Sequence, residues 1–270
     1  MGESKGAGAR LKSAVEKIER CVSSSVVISE TAMGVNHTGR QIRALMVFAK
    51  LTVHSMAVSA LLDKYHHAPK GSKLLDHFSI GVLGRTIIDA SLMAMYISKI
   101  DINKDEWDLR RQVLFRHDMT NRKRFLISLQ KVSGRKDEEF MRSYDVVKAG
   151  IVEKIERLAS GQGYSRAKID EFVSGKLVYI NGARDAAREA DWDVDQFEFQ
   201  QTYLSNWVHS HPVSFLRADE HKISFTEPSD YQKDFVSLVL ETCSGYLTDV
   251  NSRMSAFTGD ISKDPIGQLD

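Results

Sequence analysis

The chain has 270 residues, 42% hydrophobic and 27% charged, so it can bury a sizeable core and is too apolar to be globally disordered. Its 37 basic and 36 acidic residues leave a net charge of +1, which gives no global electrostatic reason to bind nucleic acid or an anionic membrane. Cys21 and Cys243 lie near opposite ends of the chain without a CxxC motif, which argues against a disulfide framework or a cysteine-based zinc site. Two free thiols are typical of a reducing compartment, so we expect a cytoplasmic protein.

Membrane targeting is not expected. The first ten residues contain glycine and lysine but no apolar signal-peptide core. The most apolar stretch, residues 80–100, contains Arg85, Asp89 and Lys99, and charges near a bilayer centre are costly. This stretch therefore predicts a helix buried in a soluble bundle.

Apolar residues recur at helical spacing in nine segments, two of them short, and only four prolines interrupt the chain. In chain order the segments are residues 11–32, 38–65, 73–99, 104–132, 136–158, 165–173, 183–190, 194–210 and 230–257. We predict an all-α fold, a multi-helix bundle of about seven to eight helices, with at most a short hairpin near residues 213–225.

We expect one helical domain over residues 9–257, between a flexible N-terminus at 1–8 and a flexible tail at 258–270. The third segment is apolar nearly all round and is the candidate central helix. In the second segment, Thr38 and Gln41 match a capping box, and a wide apolar stripe predicts the buried face. That stripe consists of Ile42, Leu45, Met46, Ala49, Val53, Met56, Ala57 and Leu61.

Arg85 and Asp89 are four residues apart in the most apolar predicted helix, so they lie on one face of it. A buried guanidinium and carboxylate at this spacing need each other as partners. The pair predicts either a structural ion pair that positions neighbouring helices or part of a functional site, and both interpretations stay open.

Tyr203, Ser205 and His209 form a second polar group, on the helix predicted over residues 194–210. A serine one turn from an imidazole suggests a nucleophile and its base. A serine hydrolase also needs an oxyanion hole and an orienting acid, and the chain has no Gly-x-Ser-x-Gly motif. A hydrogen-bonded histidine at the end of a helix is the simpler interpretation.

No metal site and no cofactor is predicted. The candidate metal ligands are His209, His211, Glu220 and His221, but histidines two residues apart do not share a helical face, and no His-Glu-x-x-His motif supports them. Walker A and Gly-x-Gly-x-x-Gly motifs are also missing from the sequence.

Basic residues outnumber acidic ones between residues 104 and 136. Arg116, Arg122, Lys123 and Arg124 are candidate contacts to the phosphates of a nucleic acid. A solvated helix face is the alternative, since charge runs on helices are common.

The same helix has Arg111 and His117 separated by five residues. This spacing fits the Arg-x4-6-His pattern of the HEPN ribonucleases. Chance produces such pairs about as often as they are found in this chain, so the motif is weak evidence.

Arg85-Thr-Ile-Ile-Asp89, followed by Tyr203-x-Ser205-x-x-x-His209, resembles a family of uncharacterised prokaryotic helical proteins. These proteins pair an Arg-x-x-x-acid helix with a Tyr-x-x-Ser-x-x-x-His-like helix; in this chain the tyrosine stands two residues before the serine. The resemblance covers roughly residues 40–215 and implies that the two helices face each other. The family's core is similar in outline to HEPN domains, which implies RNA cleavage or a role in phage defence, by fold analogy alone.

Two functional hypotheses follow. In the first, a polar cluster binds RNA or a small polar ligand: Arg85 holds a phosphate or carboxylate, Asp89 orients it and His209 acts as acid or base. In the second, the protein is a non-enzymatic interaction or assembly module, and exposed helix faces bind a partner or a second copy.

Overall fold

The computed structural model describes residues 6–267. These residues form nine α-helices and two short 3-10 helices, and no strand. The all-α prediction is confirmed, with one helix more than the top of the predicted range. The helices are α1 (Ala7–Thr31), α2 (Gly39–His67), α3 (His77–Ile97), α4 (Lys104–Ser133), α5 (Glu138–Gly161), α6 (Arg166–Val173), α7 (Gly182–Glu189), α8 (Val194–Val208) and α9 (Asp230–Thr258).

The segment near residues 213–225 is not a hairpin. A 3-10 helix spans Pro212–Ser214, and the following backbone N–H groups bond to carbonyls three to five residues earlier. Leu216 donates to Pro212 at 2.8 Å and Ile223 to Ala218 at 2.9 Å. These local bonds coil the chain, so its N–H groups do not form a ladder.

Side-chain caps define the ends of several helices. The predicted capping box at α2 is confirmed: the Thr38 hydroxyl accepts from the Gln41 N–H, and the Gln41 side chain accepts from the Thr38 N–H. At α8 the Asp193 carboxylate accepts from the Gln196 N–H at 2.8 Å. Each cap satisfies a donor that the first turn leaves without a partner.

Contacts divide the chain into two compact units. One unit runs to Ile100 and resumes at Ala187; the other is Asp101–Ala186. In the first, α3 contacts α2, α8 and α9, in agreement with its predicted central position. In the second, α4 packs against both α5 and α6.

The apolar face assigned to α2 is only partly correct. The buried stripe contains Ala44, Phe48, Leu51, Ser55, Val58 and Leu62. By contrast, Ile42, Met46, Ala49, Val53 and Met56 of the predicted face are exposed. Helix α2 has two apolar faces, one buried and one exposed, and most of the predicted stripe lies on the exposed face.

Two helices, α2 and α3, are long and apolar enough to cross a membrane by length and composition. Of the most apolar 18-residue window in each helix, 67% is buried within the protein in α3 but only 33% in α2. A core helix passes the same composition test, so burial explains the apolar character of α3. The outward face of α2 needs another explanation.

The chain after α9 is packed against the first unit. A 3-10 helix covers Ile261–Lys263, and Asp264 is 2% exposed. The Asp264 carboxylate pairs with the Arg40 guanidinium at 3.0 Å. The expectation of a flexible tail at 258–270 therefore differs from the structure up to residue 267, and residues 268–270 lie outside the described part. Residues 1–5 of the expected flexible N-terminus also lie outside it, and α1 already begins at Ala7.

Candidate functional site

Helices α3 and α8 run antiparallel in the first unit. A Cβ atom built on Gly81 would lie 3.3 Å from the Trp207 ring, while the Gln201 amide nitrogen donates to the Asp89 carboxylate at 3.2 Å. Higher residue numbers on α3 therefore meet lower numbers on α8. This register decides which of the predicted polar residues come together.

Arg85 and Asp89 form the predicted ion pair. The Arg85 side chain is 18% exposed and that of Asp89 is 50% exposed, so the pair lies at the margin of the bundle. Its neighbour from α8 is Gln201. This contact joins α3 to α8 at the ion pair.

Ser205 and His209 lie at the end of α8, where His209 is the C-terminal cap residue and is exposed. The His209 N–H donates to the Ser205 carbonyl at 3.1 Å, and its ring stacks on His211 with centroids 5.5 Å apart. The antiparallel register places His209 beside the α3 segment near Ile80, which is about 8 Å along the helix from Arg85. Within residues 6–267, neither a hydrogen bond nor an ion pair joins the two predicted pairs.

Tyr203 is part of an aromatic cluster. Its ring stacks on Phe199 with centroids 5.8 Å apart and meets the edge of Phe235. Burial, and secondly the hydrogen bond with Tyr203, raises the pKa of Tyr231. The Tyr231 hydroxyl therefore stays protonated at neutral pH, and Tyr203 has a packing role in this arrangement.

Arg116 does not belong to an exposed basic stripe. It is 5% exposed, and its guanidinium donates to the Val173 carbonyl at 2.8 Å and the Thr120 hydroxyl at 2.5 Å. The prediction that it contacts phosphates is corrected, because these bonds hold α4 to the end of α6 inside the second unit.

The three remaining residues of that predicted stripe differ in their surroundings. Arg122 lies 3.7 Å from the Asp137 carboxylate, and the Lys123 ammonium lies 3.9 Å from the centre of the Tyr144 ring. Arg124 is exposed. Two of the three cations are thus engaged with α5 or the turn before it, which weakens the case for a phosphate-binding surface.

Arg111 and His117 also have local partners. Arg111 donates to the Asp108 carboxylate at 2.9 Å, and the His117 Nε2 atom lies 2.7 Å from the amide nitrogen of Asn121. These contacts stay within α4, and none of them joins the arginine to the histidine.

A groove that the sequence did not predict lies between α2, α3 and the end of α8. We call it the apolar groove; its volume is about 900 Å³. It is lined by Ala57, Ala60, Leu61, Lys64, Phe78, Ser79, Val82, Leu83, Trp207, Val208, Ser210, Ser214 and Phe215. Three segments far apart in sequence form the groove, so no local motif predicts it. In the sequence, the apolar residues Val208 and Phe215 on either side of Pro212 are the feature that could have indicated an apolar surface here.

His77 lies behind the wall of the apolar groove. It is 1% exposed, and its ring meets the edge of Trp207 with centroids 5.7 Å apart. The Nδ1 atom lies 3.3 Å from the Gln232 amide nitrogen, whereas Nε2 has no hydrogen-bond partner among the described residues. A cavity of about 10 Å³ borders the ring, room for roughly one water molecule.

Burial lowers the pKa of His77 below its ordinary value of 6.5. As the pH is lowered below 6.5, the imidazole is protonated in the unfolded chain but stays neutral in the native state. The free energy of unfolding should therefore decrease as the pH is lowered, until the pH reaches the lowered native pKa. The expected slope is at most about 1.4 kcal/mol per pH unit. Urea unfolding between pH 7.5 and 5 should show a shallower slope for His77→Gln.

The matched control is His66→Gln, at an exposed position, which should keep the wild-type slope. Burial also lowers the pKa of His54, so His54→Gln should remove a further part of the pH dependence of the free energy of unfolding. A slope that His77→Gln leaves unchanged would refute this account of the buried imidazole.

No protein-family model, no curated protein and no solved structure matches the chain. The resemblance to a HEPN-like family therefore has no support beyond the short motifs themselves. The described residues form an all-helical protein with an open apolar groove and with two polar pairs on α3 and α8.

Proposed function

We propose that this protein is a non-enzymatic binding module and that the apolar groove is its binding site. The observation that carries the proposal is the groove itself, about 900 Å³ in volume. Sites for small molecules are mostly apolar clefts of roughly 300–1,000 Å³ with a few polar groups that orient the ligand. The groove matches that description.

Three large apolar side chains around the groove are incompletely covered by the protein. Phe78 is 36% exposed, Val208 41% and Phe215 49%. Their side chains converge on one cleft, and clustered exposed apolar surface is typical of binding sites, whereas scattered exposed residues are ordinary. A ligand with an apolar chain would remove this surface from water.

The polar groups of the groove select a ligand with one anionic group. Lys64 is its one charged lining residue, is exposed, and makes no ion pair with any residue in 6–267. The other polar lining residues are serines, of which Ser214 already donates to the His211 carbonyl. An ammonium beside an apolar cleft fits a chain with a carboxylate at its end, such as a medium-chain fatty acid.

The polar residues singled out in the sequence on α3 and α8 do not line the apolar groove. His209 lies close to the groove in sequence, beside Val208 and Ser210, but the groove does not include it. Arg85 and Asp89 are paired with each other. Neither pair is needed by a ligand held at Lys64, so we assign no catalytic step to them.

Isothermal titration calorimetry tests the proposal with three ligands that have the same twelve-carbon chain and different head groups. They are dodecanoate, dodecanol and dodecyltrimethylammonium, each below its critical micelle concentration or solubility limit. We expect dodecanoate to bind most tightly. Lys64→Gln should weaken dodecanoate about tenfold, the scale of one charge-assisted contact, and leave dodecanol unchanged. Ala57→Trp should fill the groove and abolish binding of both.

Lys50→Gln is the matched control, since Lys50 is an exposed lysine on the same helix outside the groove. It should bind dodecanoate as the wild type does. Equal losses from Lys50→Gln and Lys64→Gln would show that charge acts non-specifically. No binding by the wild type would end the proposal.

A further inference from the structure

Helices α1 and α9 run parallel and meet partly through small polar side chains. Near their N-termini, Arg10 of α1 pairs with Asp234 of α9. Further along, the Ser25 hydroxyl donates to the Asn251 side chain at 2.8 Å, and the Asn251 amide donates to the Cys21 carbonyl at 2.9 Å. Packed helices usually fill such a contact with larger apolar side chains. Small residues here leave space between the two helices.

That space is a second groove, which we call the polar groove; its volume is about 540 Å³. Its polar lining includes Lys17, Arg20, Cys21, Ser24, Ser252 and Ser255. Among the described residues, the lining contains neither a carboxylate nor an aromatic ring. It therefore differs in chemistry from the apolar groove, with which it shares no lining residue.

Two cations of the polar groove have no partner in the described part of the protein. Lys17 and Arg20 are exposed and, three residues apart, lie on the same side of α1. Neither forms an ion pair with any residue in 6–267, although Glu16 stands one turn before Arg20. Two positive charges beside a cleft that contains no carboxylate favour an anionic ligand.

Three hydroxyls of the polar groove are also available to a ligand. Ser24, Ser252 and Ser255 are exposed, and their hydroxyls make no hydrogen bond with any residue in 6–267. By contrast, the buried Ser25 hydroxyl donates to the Cys21 carbonyl at 3.0 Å. A hydroxyl both donates and accepts, so the three exposed serines can bond to phosphate oxygens or to the hydroxyls of a sugar.

The size and lining of the polar groove restrict the class of ligand. Sites of roughly 300–1,000 Å³ are typical of small molecules, so the groove has room for more than an inorganic ion. A nucleic acid needs a run of cations along its phosphates, and the lining has two. The bases of nucleotides commonly stack on aromatic rings, which the described lining lacks. A phosphorylated polyol meets each of these conditions.

We propose that the polar groove binds a phosphate monoester of a small polyhydroxylated molecule, with Lys17 and Arg20 on the phosphate and Ser24, Ser252 and Ser255 on the hydroxyl groups. A guanidinium donates two parallel hydrogen bonds to one phosphate, and an ammonium adds a point charge. This chemistry occurs in free sugar phosphates and in the headgroups of phosphoinositide lipids, and the experiment distinguishes the two sources. The site is independent of fatty-acid binding, because it lies on other helices.

Cys21 is a built-in reporter of ligand binding in the polar groove. It is partly exposed and lines the groove, so a bound ligand should shield its thiol from iodoacetamide, a neutral reagent. Cys243 is 1% exposed, and burial raises its pKa to about 12, so it should not react in the native protein. The alkylation rate of Cys21 is measured by mass spectrometry with and without ligand, and the two rates are compared within each variant.

The ligands are glucose-6-phosphate and myo-inositol-1-phosphate at about 10 mM, roughly ten times the Kd of a millimolar site. About nine-tenths of the sites are then filled, and alkylation of Cys21 should slow about tenfold. Lys17→Gln and Arg20→Gln should each weaken binding about tenfold, the scale of one charge-assisted contact, and reduce the protection to about twofold. Lys12→Gln is the matched control, at an exposed lysine on the same helix outside the groove, and should keep the full protection.

Glucose and inorganic phosphate at the same concentration should leave the alkylation rate nearly unchanged, because each lacks one part of the recognised ligand. Failure of both sugar phosphates to protect Cys21 would overturn the proposal. Equal protection by inorganic phosphate would do so as well, as would full protection in both Lys17→Gln and Arg20→Gln. Vesicles that contain phosphatidylinositol-4-phosphate distinguish the sources: protection by the free compounds supports a soluble ligand, whereas protection by the vesicles alone would overturn it in favour of a lipid headgroup.

Discussion

Replacing Asp264 by alanine is expected to lower the free energy of unfolding by about 3–5 kcal/mol, the usual cost of removing one partner from a buried ion pair. Asp264 and Arg40 are each 2% exposed, and their charged groups lie 3.0 Å apart. The second carboxylate oxygen accepts from the Thr38 hydroxyl at 2.5 Å. The substitution therefore deprives a buried guanidinium of its carboxylate and a hydroxyl of its acceptor.

Urea unfolding followed by circular dichroism measures the effect. Lys263→Ala changes the exposed neighbouring residue and should stay within about 0.5 kcal/mol of the wild type. In the Arg40→Met/Asp264→Leu double variant the loss should be smaller than the sum of the single losses, because no charge is left buried alone. An Asp264→Ala variant as stable as Lys263→Ala would show that the segment after α9 does not hold the bundle together.

Gly84→Ala should destabilise the protein by about 1–3 kcal/mol, the usual cost of overpacking, although alanine favours a helix over glycine by about 1 kcal/mol. A Cβ on Gly84 would lie 2.5 Å from the Val239 Cγ1 atom. Helix α3 therefore approaches α9 too closely for a side chain at this position. The packing penalty exceeds the gain in helix propensity.

Gly245→Ala is the matched control within the same unit. Gly245 lies in α9, and a Cβ there would meet nothing within 4 Å, so this variant should gain up to about 1 kcal/mol. Opposite signs for the two glycines, measured by thermal and urea unfolding, are the expected result. A stabilising Gly84→Ala would mean that α3 and α9 are further apart than described.

Local features of the fold could be predicted from the sequence. Helical spacing located the helices, the Thr38 and Gln41 spacing predicted a capping box, and the spacing of Arg85 and Asp89 predicted their pairing. Each of these depends on residues within one or two turns of each other, where helix geometry alone decides which side chains meet.

Contacts between distant parts of the chain could not be predicted in this way. Arg40 and Asp264 are 224 residues apart, and no periodicity relates them, so the tail was expected to be free. Arg116 was assigned to a surface because it is charged, yet its partners hold it in the core. Residue type indicates exposure only on average.

The arrangement of the candidate site could not be predicted for a related reason. Spacing placed Ser205 one turn from His209, and a resemblance joined them to Arg85, but the distance between the two pairs depends on the register of α3 against α8, which is a property of packing. The apolar groove needs three elements to converge, and such convergence is a property of packing. On α2, the spacing of apolar residues predicted an apolar face. It could not show which of the two apolar faces of the helix is buried.

Photo-cross-linking tests the central claim, that the apolar groove binds an apolar anion, most directly. The protein would be irradiated with dodecanoate bearing a diazirine on its chain, and the labelled residues identified by mass spectrometry. We expect labels in residues 57–64, 78–83 and 207–215, removed by excess dodecanoate and by Ala57→Trp. Labels confined to residues 42–56 of α2, or to residues 101–186, would contradict binding in the apolar groove.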